Sequence, residues 1–143
     1  MTVPPPLPGA IVHFSFLWAE EAARGLVEGR KDRPCVILAV FGQEPDAKRV
    51  VLAPITHRAP SNPEAAIALP ASLKPTLGLD DAPAWIVVAE INVSDWPGFD
   101  LRPVPGKPGI YYHGRLPPGL YAIVRERAQQ LDDAGKLHRV SRS

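Results

Sequence analysis

Apolar positions along this chain fall into short blocks cut apart by proline, glycine and charge. From Ala10 to Leu17 the residues Val12, Phe14 and Phe16 alternate with Ile11, His13, Ser15 and Leu17. That period of two predicts a strand with Val12, Phe14 and Phe16 toward a core and His13 on the more exposed face. Pro34–Phe41 is almost uninterrupted apolar sequence, β-branched at Val36, Ile37 and Val40, which predicts a central strand buried on both faces. Gly42–Asp46 is a turn cluster, so Lys48–Ile55 is expected to return as the antiparallel partner. Ala65–Leu69 is a short strand candidate, and Ala71–Lys74 has room for one helical turn before Pro75. Trp85–Val93 reads as a long strand, with Leu101–Arg102 and Ile110–His113 as short edge segments.

The one helix the pattern supports lies near the end. Leu120, Ile123, Val124, Arg127, Ala128 and Leu131 recur at the spacing of a single packing face, Pro117 and Pro118 suit the first turn, and Gly135 suits the cap. Two stretches show no period and are expected to be loops, Trp18–Asp32 and His57–Glu64. Within the first, Glu20–Leu26 could make a helical turn, but Gly25 and Gly29 argue against a stable one. The order of elements predicts a mainly β, α+β domain: a small, strongly curved antiparallel barrel with one C-terminal helix. Residues 1–8 read as a proline-rich, extended and weakly ordered lead-in, 9–135 as the domain, and 136–143 as a loose tail.

Composition narrows this without redirecting it. The 143 residues, 45% hydrophobic and 22% charged, fit one globular domain. Eighteen prolines disfavour a helical bundle. A net charge of +1 gives no global cationic field, so an anionic partner would have to meet a local patch. The lone Cys35 sits in an apolar run and reads as a buried, inert thiol. The first residues lack the pattern of a signal peptide and no apolar run reaches membrane-spanning length, so a cytoplasmic protein without membrane association is expected.

The polar residues offer few sites. Four scattered histidines, one cysteine and adjacent acidic pairs do not make a metal-ligand set, so no metal and no cofactor are expected. Positive charge gathers in one region: Arg24, Arg30, Lys31 and Arg33 lead into the central strand, while Arg49, His57 and Arg58 flank its partner. A hairpin of these strands would set Arg33 beside Thr56.

In that setting the residues resemble a family. Gly9-x-Ile-Val-x-Phe, Arg33-Pro-Cys-Val-Ile-Leu and Val51-Leu-Ala-Pro-Ile-Thr56 are similar to the MazF/PemK toxins of bacterial toxin–antitoxin pairs. So are Leu69-Pro, Leu73-Lys and Leu77-Gly-Leu79, and the Gly114-Arg-Leu-Pro lead into the last helix. The resemblance runs over most of the chain. It implies an SH3-like barrel, a homodimer, a cognate antitoxin as protein partner, and metal-independent cleavage of single-stranded RNA at short sequences. Carried over motif by motif, the catalytic arginine falls on Arg33 and the catalytic threonine on Thr56, and Glu28 takes the place of an acidic loop residue.

The chemistry is coherent with those side chains. The 2′-hydroxyl of RNA can attack the adjacent phosphorus, so an enzyme need supply no nucleophile, and a guanidinium can hold the charging phosphoryl oxygens bidentately. Thr56 can hydrogen-bond the phosphate or align the hydroxyl. The base is open between His57, Glu28 and water, and Glu28 could equally pair with Arg33. Arg24, Arg30, Lys31, Arg49 and Arg58 would guide RNA by charge, and Trp18, Trp96 and Phe99 are candidates for stacking on bases or for packing. The long Trp18–Asp32 loop and the Trp85–Pro105 region depart from the family pattern. Competing readings are a non-catalytic module acting on a protein target, as the related gyrase poison CcdB does, and an inactive member.

Overall fold

A computed structural model describes residues 3–42 and 48–142. The central hairpin stands where the apolar pattern puts it: β2 (Arg33–Phe41) runs antiparallel to β3 (Lys48–Thr56), with Cys35 opposite Pro54 and Phe41 opposite Arg49. Its turn, beyond Gly42, lies outside the described residues. β1 (Ala10–Phe14) lies on the other side of β2, with Ile11 opposite Val36 and Phe14 opposite Arg33.

Each outer neighbour of this three-stranded centre is split. The first half of β3 pairs with β6 (Glu90–Trp96) and its last two residues with β5 (Trp85–Val87), which in turn pairs with β4 (Ala66–Ala68). β1 pairs with both β7 (Leu101–Arg102) and β8 (Tyr112–Arg115). Among the described residues the result is a nine-stranded, mainly antiparallel sheet with two α-helices, one of them C-terminal. The ladder among the described residues does not close into a barrel.

Alternation along the central strands builds two cores. Ile11, Val36, Leu38, Ala53, Ile55, Ile86, Ile91 and Val93 face one way and receive Val124, Ala128 and Leu131 of α2 (Pro118–Asp133). Val12, Phe14, Phe16, Cys35, Ile37, Val50, Leu52 and Trp96 face the other way. β2 is thus covered on both faces, and so is β1: Ile11 is as buried as Val12, while His13 is half-buried. The Tyr121 hydroxyl ties the helix to the sheet by donating to the Leu38 carbonyl at 2.6 Å. Gly135, at φ +70°, ends the helix in the left-handed conformation that lets Lys136 N–H reach the Leu131 carbonyl at 2.8 Å. Ile123, assigned to the packing face by its spacing, is exposed.

Four expectations are corrected. Trp85–Val93 is not one strand: the amides of Val88 and Ala89 turn to the Ala65 carbonyl, at 2.8 and 3.2 Å, and separate β5 from β6. The loop after Trp18 contains a short helix, α1 (Ala19–Ala23), started by carboxylates rather than by propensity. Glu21 Oε1 accepts from Trp18 N–H at 3.0 Å and Glu90 Oε1 from Ala19 N–H at 2.8 Å.

Residues 136–142 are not a loose tail either, and Ser143 lies outside the described residues. β9 (His138–Ser141) runs parallel to β6, and Arg142 is buried beyond it. The proline-rich lead-in, described from Val3 onward, is extended but packed. The Pro4 carbonyl accepts from Trp96 Nε1 at 3.0 Å, the Pro5 carbonyl from the Tyr112 hydroxyl, and the Pro8 carbonyl from Arg115 Nε at 3.0 Å. Among the described residues no helix is long and apolar enough to cross a membrane.

Candidate functional site

The register of the hairpin decides where Arg33 and Thr56 stand. Carrying the Cys35–Pro54 pairing two residues outward sets Arg33, first residue of β2, across from Thr56, last residue of β3. Both share the pleat face of Cys35 and Leu52, at the rim of the second core. Phe14, opposite Arg33 on β1, and Phe16 and Trp18 beyond it form the apolar wall at that rim. The guanidinium of Arg33 lies over the Trp18 ring, 5.1 Å from its centroid, an arrangement that holds a planar cation without neutralising it.

Two hollows open on this rim, and Arg33 and Thr56 are the residues common to both. The larger, about 510 Å³, lies between α1 and the loop after β3 and is lined by Trp18, Arg30, Arg58, Asn62 and three glutamates, among others. Those carboxylates are engaged. Glu20 pairs with Arg24 at 2.8 Å, buried Glu21 accepts from Trp18 and Arg30 amides, and Glu90 caps α1. The smaller hollow, about 210 Å³, is lined by Lys31, His57, Lys74 and Asp80 together with apolar Ile55, Leu79 and Ala84.

Arg33 carries an unmet demand. Its Nε is buried, and among the described residues it has no acceptor and no carboxylate comes within 4.0 Å of the Arg33 nitrogens. Burial pulls its pKa below the ordinary arginine value, with Cys35 and Glu21 opposing; guanidinium keeps its proton in proteins regardless. A buried donor left unpaired costs about 1–3 kcal/mol, more when charged, which an incoming anion can remove. Thr56 Oγ1 is held by the Arg58 amide at 3.2 Å, which leaves its hydroxyl hydrogen to donate. Burial pushes the Cys35 thiol upward, so the residue two positions from Arg33 is a neutral wall.

The other sequence-chosen residues divide. Arg30 and Arg58 line the larger hollow, Lys31 and His57 the smaller. Both ring nitrogens of His57 face acceptors, Pro83 O at 2.9 Å and Asp80 Oδ2 at 3.1 Å, so no lone pair is aimed at the rim. Glu28 lines neither hollow and its charge acts on Asp100 and Arg142 instead. Arg24 is tied to Glu20 on α1. Arg49 lies at the far end of β3, paired with Asp95 at 3.2 Å, and does not belong to this rim.

Sequence reasoning missed the buried Lys74, and it missed Glu21 and Glu90 as the supports of α1. Among the described residues no three of His, Cys, Asp and Glu converge as a metal-ligand set. Comparison with protein-family models and with curated proteins returned no match.

Proposed function

We propose that the chain is a MazF/PemK-like endoribonuclease that cleaves single-stranded RNA without a metal, as the toxin of a toxin–antitoxin pair. The observation that carries this reading is the rim itself. A buried, unpaired guanidinium nitrogen of Arg33 stands across the hairpin from Thr56, stacked on Trp18, with Arg30 and Arg58 around the same hollow. A phosphodiester supplies the oxygens that Arg33 lacks, and the indole beside it offers a face to an unpaired base.

In the proposed reaction the 2′-oxygen forms a bond to phosphorus while the bond from phosphorus to the 5′-oxygen breaks. The products are a 2′,3′-cyclic phosphate and a 5′-hydroxyl. Arg33 stabilises the charge that builds on the non-bridging oxygens, and Thr56 donates to one of them. The carboxylates of the larger hollow are engaged and His57 is turned away, so the 2′-hydroxyl proton passes to solvent and the leaving oxygen is protonated from it. The SH3-like barrel, the homodimer and the antitoxin belong to the same reading.

The test is direct: purified protein with single-stranded RNA in EDTA. Cleavage that Arg33→Ala lowers by about a hundredfold or more, with folding intact, supports the proposal. Intact RNA at high protein excess overturns it and favours a module that acts on a protein.

A further inference from the structure

The smaller hollow holds a feature the proposed reaction does not use. Lys74 follows the single helical turn Ala71–Leu73 and is only 3% exposed. Its backbone is fixed on both sides, its amide donating to Ala71 O at 3.2 Å and its carbonyl accepting from Leu79 N–H at 3.0 Å. Ile55, Leu79 and Ala84 beside it provide an apolar bed of the kind that takes a lysine stem. Its Nζ is buried and has no acceptor among the described residues. Lysine is among the residues least often buried unless paired, so this group waits for a partner.

The surroundings say what partner fits. Lys74 lines the hollow with Lys31, Arg33, Thr56, His57 and two aspartates. The aspartates are engaged: Asp80 by His57 at 3.1 Å and the Ala82 amide at 3.1 Å, Asp32 by Arg102 at 3.6 Å. No carboxylate lies within 4.0 Å of the charged nitrogens of Lys31, Arg33 or Lys74 among the described residues. These cations, with the Thr56 hydroxyl, make an anion pocket, and at about 210 Å³ it has room for a phosphate.

The hollow shares Arg33 and Thr56 with the larger cleft, so an occupant that reaches into both carries negative charge on either side of that pair. A strand of phosphodiesters does so by construction. We infer that the smaller hollow is a phosphate subsite, with Lys74 its innermost donor, for the phosphodiester next to the one held at Arg33 and Thr56. The choice of occupant rests on the RNA reading above; the anion pocket does not.

The experiment uses a fluorescent, all-2′-O-methyl oligonucleotide, which cannot be cleaved, so binding is read apart from catalysis. Anisotropy titrations across a salt series compare the wild type with Lys74→Met and with Lys31→Ala. Lys74→Met is expected to weaken binding about tenfold and to lower the slope of log affinity against log salt by about 0.7, one phosphate's share on a single strand. Inorganic phosphate should raise the melting temperature of the wild type and compete with the oligonucleotide. Should Lys74→Met not fold, that phosphate response and a reduced salt slope in Lys31→Ala decide the matter.

Unchanged affinity and slope in Lys74→Met would overturn the inference, as would a wild type indifferent to phosphate. An oligoglutamate peptide competing as well as phosphate would overturn the phosphate assignment. The two readings separate cleanly. A slope that falls in Lys74→Met while RNA stays uncut keeps the pocket and removes the nuclease, whereas RNA cut with no change in slope does the reverse.

Discussion

Arg142 is the side chain whose removal the fold should feel most. It lies past the last strand, yet its side chain is 3% exposed. Nη1 donates to Ser15 O at 2.7 Å and Asn92 Oδ1 at 3.0 Å, and Nη2 donates to Val27 O at 3.0 Å while pairing with Asp100 at 2.9 Å. The guanidinium also lies 5.7 Å from the Phe14 ring centroid. One residue thus joins β1, the loop that leads to Arg33, β6 and the segment before β7. Burial pulls the Arg142 pKa down and pushes the Asp100 carboxyl up, each against the pull of the other's charge. Desolvation therefore offsets much of the pair's attraction, and the arrangement works chiefly by fixing geometry.

Breaking one side is another matter. Arg142→Met leaves Asp100 buried without its cation, a loss of about 3–5 kcal/mol. For a domain near this size each kcal/mol moves the melting temperature by roughly 3 °C, so a drop of about 10 °C or more is expected. Urea denaturation of Arg142→Met, Asp100→Asn and the double variant measures it, and the double variant should fall well short of the summed singles. A change within about 0.5 kcal/mol, the usual size for a solvated surface residue, would refute the reasoning.

Two further outcomes follow from other parts of the fold. His13 Nδ1 and His113 Nε2 are 3.2 Å apart, and burial lowers both pKa values; at His13 the Asp32 charge opposes the lowering and Arg102 adds to it, and at His113 the His13 ring adds to it. The unfolded chain then binds protons that the native one does not. The stability this pair contributes is present above about pH 6.5 and is lost as pH falls through the lowered native values. Melting temperature should drop between pH 7 and pH 5, less so in His113→Asn; equal slopes for the two proteins would contradict this. At Gly29, an added Cβ would sit well inside van der Waals distance of the Phe16 carbonyl oxygen. Gly29→Ala must push the loop carrying Arg30 off the segment that follows β1, at about 1–3 kcal/mol by denaturation, and an unshifted midpoint would exclude that contact.

The hairpin was legible because its burial is written in side chains: a continuous apolar run, a turn, and a second run with Arg33 and Thr56 at the matching ends. The α2 face was legible for the same reason, apart from Ile123, which its period placed inward and which is exposed. What escaped depends on partners distant in sequence. β9 is joined by backbone hydrogen bonds to β6, so its own residues look like a charged tail. Five-residue α1 has too few hydrogen bonds to hold itself, and its start is set by Glu90, 71 residues away from Ala19. Lys74 looks like any surface lysine until the fold closes over it. In the candidate site, Arg33, Thr56, Arg30, Lys31 and Arg58, chosen for their chemistry, line two adjoining hollows. Charge alone could not tell that Arg49 points to the opposite end of its strand.

The central claim, that Arg33 and Thr56 drive attack by the RNA's own 2′-hydroxyl, is tested most directly by comparing matched oligonucleotides in EDTA. Mass spectrometry of the fragments identifies their ends. Ribose-containing substrate should be cut to a 2′,3′-cyclic phosphate and a 5′-hydroxyl, the same sequence in deoxyribose or 2′-O-methyl form should stay intact, and Arg33→Ala should lose about a hundredfold or more in rate. Equal cutting of the deoxyribose strand, 5′-phosphate ends, or full activity in Arg33→Ala would contradict it.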